Sequence, residues 1–390
     1  MAKATRTAVP ALLVLAIATA AQVGVSILQQ GVAVLSYALG EPLHLGLMQA
    51  GTLVSATSLG VMAAMLLGGA LIDRFGVRGV LLTSAAIAVG GGFAVTGQQG
   101  YLGLAAALAL TGFGLGALPI AGARVIFDRY AGPQRGLAMG IRQTGVPLGA
   151  AIAAALLPTL ALSLGPRAPW LPLAVLAAIL NVALAAAAPA FRPTPAAERP
   201  PLGGELRRIA LPALLAFMLS AGQYGLLTFT VASARGSLAP AAAGALLAVA
   251  QLGGAAGRVG FGQLSDRLRR RPPAIALAAL LGAVGIAVAT HLGGPLVLRG
   301  AAYLIAGLGA IGWNALVLTW GGERVSPARS GQAIGIIGTS VFAGSAIWPP
   351  LFGLLAQHAG FGAAWFALAG LIALAAVIAL AAGTAARPRN

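Results

Sequence analysis

Two arginines and a few amides stand out in this chain because they fall inside apolar runs, where a polar side chain must find a partner. Arg142 lies in Arg142-Gln143-Thr144-Gly145-Val146-Pro147, and Arg258 follows Gly257 with Gln251 two helical turns earlier on the same face. Neither arginine has an acid within a turn of its own helix. A lone cation in hydrocarbon costs at least about 2.5–3.5 kcal/mol, so each must face a polar interior, a protein partner or an anion. The competing role is snorkelling, since a charged loop lies only about 9–12 Å along each helix. Gln22, Gln223 and Asn314 are further candidates for hydrogen bonding a ligand, with helix packing as their competing role.

The acids point the same way by their placement. Glu41, Asp73, Asp128, Glu198, Glu205, Asp266 and Glu323 all lie outside the apolar runs. Carboxylates inside a membrane are the usual proton relays and cation ligands, so a cationic substrate is disfavoured and an anionic one favoured. The chain has no Cys, and its three histidines, His44, His291 and His358, stand beside neither an acid nor one another. With no Gly-rich phosphate loop either, the expectation is no metal, no nucleotide, no cofactor and no enzyme.

The elements that must position these residues follow from composition. The 390 residues are 59% hydrophobic and 8% charged, with a mean hydropathy of +0.93. A soluble surface needs roughly 25% charged residues, so no soluble fold fits. Twelve runs reach the ~20 apolar residues of a membrane helix, at 8–30, 45–72, 79–97, 101–125, 136–162, 169–189, 209–233, 239–264, 273–292, 295–320, 331–355 and 361–383. The fold class expected is therefore an all-α membrane protein of twelve transmembrane helices.

Charge placement orients them. The formal charge is +17, but under this topology 19 basic residues fall on one side and only Arg167, Arg235 and Arg299 on the other. Short basic loops stay cytoplasmic, which predicts both termini inside a bacterial plasma membrane and accounts for the charge without a nucleic acid partner. Lys3, Arg6 and Ala18-Thr19-Ala20 imitate a secretion signal, yet removing that segment leaves eleven spans, so the first helix is expected to be retained.

The sequence is also written twice. Gly69–Arg78, GALIDRFGVR, returns as GQLSDRLRRR at Gly262–Arg271, with Asp73 and Asp266 separated by 266 − 73 = 193. Gly112-Phe113-Gly114, Asp128-Arg129 and Gly136–Gly140 return as Gly307-Leu308-Gly309, Glu323-Arg324 and Gly331–Gly335, each at an offset of 195. Two six-helix halves follow, 1–190 and 209–390, joined by a Pro- and Arg-rich linker over 191–208.

The Gly-x-Leu-x-Asp-Arg-x-Gly-x-Arg loop and its degenerate copy resemble the signature loop of the major facilitator superfamily, and the resemblance covers essentially the whole chain. It implies alternating access by two rocking bundles about a site near the bilayer midplane, in a chain functional as a monomer. It further implies an inner gate built from Asp73, Arg74, Arg78, Asp128, Arg129, Asp266 and Arg267. One departure is Leu108, where helix 4 often carries an arginine used in proton coupling. Around Arg258, Gly257-Arg258-x-x-x-Gly262-x-Leu264-Ser265-Asp266-Arg267 resembles helix 8 of monocarboxylate transporters and oxalate:formate antiporters, where this arginine binds the substrate carboxylate. The expected function is secondary transport of a small organic anion, a mono- or dicarboxylate; the alternative is export of hydrophobic drugs or other small molecules.

Overall fold

The computed structural model describes residues 10–130, 133–188, 205–326 and 330–385. All regular structure in them is helical. Helix α1 spans Ala11–Gly40 and ends in a short 3-10 turn over Glu41–Leu43; α2 spans Leu47–Gly97. Then come α3 (Tyr101–Leu115), α4 (Leu118–Arg129), α5 (Pro133–Gln143), α6 (Gly145–Leu164) and α7 (Trp170–Ala187). After the linker follow α8 (Leu206–Ser233), α9 (Pro240–Leu268), α10 (Arg271–His291), α11 (Leu296–Gly312), α12 (Asn314–Glu323) and α13 (Ser330–Ala385).

Two of these are pairs of helices joined at a glycine. At ~1.5 Å per residue, the 51 residues of α2 and the 56 of α13 each exceed twice the ~30 Å thickness of a hydrocarbon core. Gly76 in α2 and Gly360 in α13 take left-handed φ values of 73° and 81°, a conformation glycine reaches without a Cβ clash, and fold each stretch into two passes. Three other passes are interrupted instead: α3 hands over to α4 at Gly116-Ala117, α5 to α6 at Thr144, and α11 to α12 at Trp313. Read this way the thirteen helices make twelve crossings. Eleven stretches are long and apolar enough to span a bilayer, the last of them covering both arms of α13. Large apolar side chains such as Leu12, Leu102 and Val297 lie on the outer surface, where lipid replaces water.

The first crossing differs from its sequence limits. A run of 8–30 ends at Gln29-Gln30-Gly31, whereas the helix continues to Gly40. Gln30 does not stop it, because its side chain turns inward and is buried with Val32, Val34 and Leu35.

Close packing repeats with the sequence. A Cβ at Gly112 would meet the Thr57 carbonyl, and one at Gly307 would meet the Ala250 carbonyl. The partners are 250 − 57 = 193 and 307 − 112 = 195 residues apart, the same offsets as the motifs. Gly114 against Ala88 and Gly309 against Gly282 make a second repeated crossing, at offsets of 195 and 194. Small residues thus let backbones touch at equivalent places before and after the linker.

Candidate functional site

The helices before the linker meet those after it mainly through α2 with α13, α6 with α9, and α1 with α8. These contacts gather toward the ends facing away from the linker. There Gly51 lies against the backbone of Pro349 and Pro350, so that a Cβ would sit 2.5 Å from the Pro349 carbonyl carbon, and Gly353 lies against Leu47. The Ser55 hydroxyl donates to the Ala346 carbonyl, and the Met48 N–H donates to Gln357 Oε1 at 3.3 Å. At the rim, Arg235 grips both oxygens of Glu41 at 2.9 and 2.8 Å and lays its guanidinium 4.4 Å from the Tyr37 ring centre. On the linker side, by contrast, α4, α5 and α12 pack chiefly against helices of their own half.

Deeper in, polar groups from both halves converge. The Ser345 hydroxyl of α13 donates to Ser58 of α2 at 2.7 Å. Tyr224 of α8 places its hydroxyl beside Ser345 and beside Gln30 of α1, within electrostatic reach of Arg258 of α9. Nearby positions on α8 and α9 leave Gln223 Oε1 and Gln251 Nε2 buried without a hydrogen-bond partner among the described residues. Gln30 Oε1 and Arg258 Nε share that condition. Gln30, Ser58, Tyr224 and Ser345 were not singled out by sequence. Serine and tyrosine are unremarkable in an apolar run, and Gln30 fell at the assumed end of its helix.

The two interior arginines have different surroundings. Arg142 is 1% exposed and donates to Gln22 Oε1 at 2.8 Å and to the carbonyls of Leu118 and Pro119 at 3.2 and 3.4 Å. Its guanidinium packs on Gly122, where a Cβ would stand 2.7 Å from Nε. Gln22 in turn donates from Nε2 to Ser26 at 3.3 Å. Arg142 and Gln22, two separate sequence candidates, are therefore partners, and the first turn of α4 adds two carbonyls as further acceptors. Arg258 is half-buried and makes no ion pair among the described residues. Asn314 opens α12 directly after the fully buried Trp313, whose indole N–H donates to Ala310 at 2.9 Å.

The expected gate residues sit at the linker-side ends. Asp266 pairs with Arg271, not with its neighbour Arg267, which is exposed. The chain turns back after α9 with Arg269 left-handed, and this swings Arg271, two residues later, toward Asp266. Arg271 also holds Glu323 of α12, through Nη2 at 2.7 Å and Nε at 3.1 Å. In the first half Arg78 donates to the Ala188 carbonyl at the end of α7, while Arg270 donates to Gly383 near the end of α13, an acceptor offset of 383 − 188 = 195. Asp128 faces Arg124 at 3.6 Å, and Arg74 lies over the ring of its neighbour Phe75 at 5.3 Å. Arg129 keeps a buried Nε without a partner among the described residues. The side chain of Asp73 lies outside the described residues, as does most of the linker.

Twelve crossings, a doubled packing pattern and polar groups converging between the halves agree with the family model described as Major Facilitator Superfamily, which matches residues 12–349. The chain belongs to the major facilitator superfamily. An uncharacterized MFS-type transporter of Mycobacterium tuberculosis is 34% identical over 357 residues, 88% of this chain and 78% of that protein. A 3-(3-hydroxy-phenyl)propionate transporter of Escherichia coli is 37% identical over 110 residues, 28% of this chain and 27% of that one. Among solved structures a D-xylose-proton symporter superposes with a TM-score of 0.77 at 15% identity, covering 95% of this chain and 97% of that one. The superfamily fold is thus shared at low identity, and the protein is a multi-pass membrane transporter.

Proposed function

We propose that this superfamily member is a secondary active transporter of a small organic anion, a mono- or dicarboxylate, with Arg258 as the group that receives its charge. The observation that carries the reading is the contrast between the interior arginines. Arg142 donates through Nη2 to Gln22 and two carbonyls, with only its Nε left over, whereas Arg258 makes no hydrogen bond or ion pair among the described residues and keeps a buried Nε. An unpaired guanidinium in a membrane interior is costly, and an anion that enters and leaves offsets that cost only while bound. Tyr224 lies within electrostatic reach of Arg258 and beside Gln30 and Ser345, one from before the linker and one from after it, so occupancy there can bias how the halves pack. The partial likeness to a transporter of an aryl propionate, itself a carboxylate, supports the same class.

In this reading 1–190 and 209–390 are the rocking bundles, and the Asp266–Arg271–Glu323 cluster is a contact of the inner gate, together with Asp73, Arg74, Arg78, Asp128, Arg129 and Arg267. The basic linker side faces the cytoplasm of a bacterial plasma membrane and holds both termini, because the arginines gather there. The arrangement described is accordingly closed to the outside.

The test is uptake by purified protein in proteoliposomes, with radiolabelled carboxylates that include an aryl propionate. Saturable uptake of at least one carboxylate is expected. At matched reconstitution Arg258→Lys lowers apparent affinity by about ten- to a hundred-fold, the value of one charge-assisted pair at about 1.5–3 kcal/mol, because lysine keeps the charge but loses the planar fork. Uptake confined to neutral or cationic compounds overturns the anion reading and favours export of hydrophobic compounds.

A further inference from the structure

A cavity of about 520 Å³ opens on the linker side of the second half, away from the interior site. It lies where α9 ends, α10 begins, and α12 and α13 end, the level at which spans leave the membrane. Four guanidiniums line it, those of Arg269, Arg270, Arg271 and Arg324, against two carboxylates, Asp266 and Glu323. Both carboxylates are held by the single Arg271. Among the described residues Arg270 reaches the Gly383 carbonyl and Arg324 that of Arg208, its guanidinium lying 5.1 Å from the Trp320 ring centre. Three of the four arginines therefore make no ion pair among the described residues, and the lining carries a net charge of 4 − 2 = +2.

The internal repeat supplies an independent observation. At the offset of 193, Arg269 corresponds to Gly76 and Arg270 to Val77. Gly76 combines a φ of 73° with an extended ψ of 163°, whereas Arg269 shares only the positive φ, at 50° with a ψ of 26°, in the left-handed helical region. That conformation at a helix end favours glycine, and a side chain there is strained by its own Cβ. The second half thus places an arginine where its own duplicate uses glycine, and it adds a second arginine in place of valine. Helix termination favours glycine here, and the arginine that stands in its place is one of the residues lining the cavity.

We propose that this cavity binds a phosphate-bearing anion, its oxygens received by Arg269, Arg270 and Arg324. Phosphate accepts several charge-assisted hydrogen bonds at once, and forked guanidiniums match that geometry better than they match a single carboxylate already in use. The volume is in the range of small-ligand sites and admits a phospholipid headgroup as well as a free phosphate.

Native mass spectrometry of the purified full chain tests this, with phosphatidylglycerol and phosphatidylcholine added separately to micelles and with inorganic phosphate as the soluble probe. Arg269→Gly restores the residue of the duplicate and relieves the left-handed strain, so the variant is expected to melt no lower than wild type. Retention of one phosphatidylglycerol, weakened about ten-fold or more in Arg269→Gly and again in Arg324→Gln, supports the site with a lipid source. Phosphate adducts lost in the same two variants, without lipid selectivity, support it with a soluble source. Binding of both probes by both variants at the wild-type level overturns the proposal.

Discussion

Arg142 and Arg258 sit in the same membrane interior, yet removing each should have opposite consequences for the empty protein. Truncating Arg142 strands Gln22 Oε1 in a dry interior, at about 1–3 kcal/mol for a buried group left without its donor, and empties the space its guanidinium fills against Gly122. Arg142→Ala should therefore lower the melting temperature of substrate-free protein by many degrees, with partial recovery in Arg142→Lys. Arg258→Ala removes an uncompensated cation and should leave the melting temperature unchanged or raised. Thermal unfolding in detergent at fixed pH decides it, and equal destabilisation by both substitutions contradicts the contrast. Sequence marked both arginines as exceptional and likened only Arg258 to an anion-binding one, but it could not supply the partners of Arg142, because two of them are backbone carbonyls, and a carbonyl has no sequence identity. Nor could sequence say which arginine Asp266 would engage. Three successive arginines follow Leu268, and only the left-handed turn at Arg269 selects Arg271 as the one that returns.

Among elements, the closed side depends on glycines that let α2 and α13 touch by backbone. A methyl at Gly51 or Gly353 would enter the space of Pro349 or Leu47, and overpacking of this kind costs about 1–3 kcal/mol. With spin labels on cysteines introduced at Gln99 and Gly293, one on each half, Gly51→Ala and Gly353→Ala should enlarge the long-distance population in pulsed EPR. The Glu41–Arg235 pair closes the same rim, but its side chains are 54% and 45% exposed, so Glu41→Gln should move the distribution less, by no more than ~1 kcal/mol. An unaltered distribution in both glycine variants, in folded protein, would mean that this packing does not set the closed state. The twelve crossings were legible because apolar length is a property of sequence itself. The interruptions at Gly116-Ala117, Thr144 and Trp313 were not, since each is a local yield to neighbours within a continuous apolar run. Gln30 was lost for a related reason: an amide that turns inward looks like a helix end until its partners on other helices are known.

For the whole molecule, the asymmetry of charge ties orientation to function. Cysteines introduced at Arg267, on the linker side, and at Gln99, on the opposite side, occupy exposed positions in a chain that has no native Cys. An impermeant thiol reagent added to intact cells should label the Gln99→Cys protein and spare the Arg267→Cys protein until the membrane is opened. The reverse pattern would place the closed face of the bundle toward the cytoplasm and invert the proposed direction of the gate.

The central claim is that an anion is received by Arg258 at the meeting of the two halves, and ligand-induced stabilisation measures it without requiring a turnover assay. A bound ligand raises stability by about 2.7 kcal/mol at a hundred times its Kd, which a melting curve resolves easily. In a screen of mono- and dicarboxylates against wild type and Arg258→Ala, the account predicts at least one acid that raises the melting temperature of wild type and leaves that of Arg258→Ala unmoved. A carboxylate that stabilises both proteins equally would contradict it.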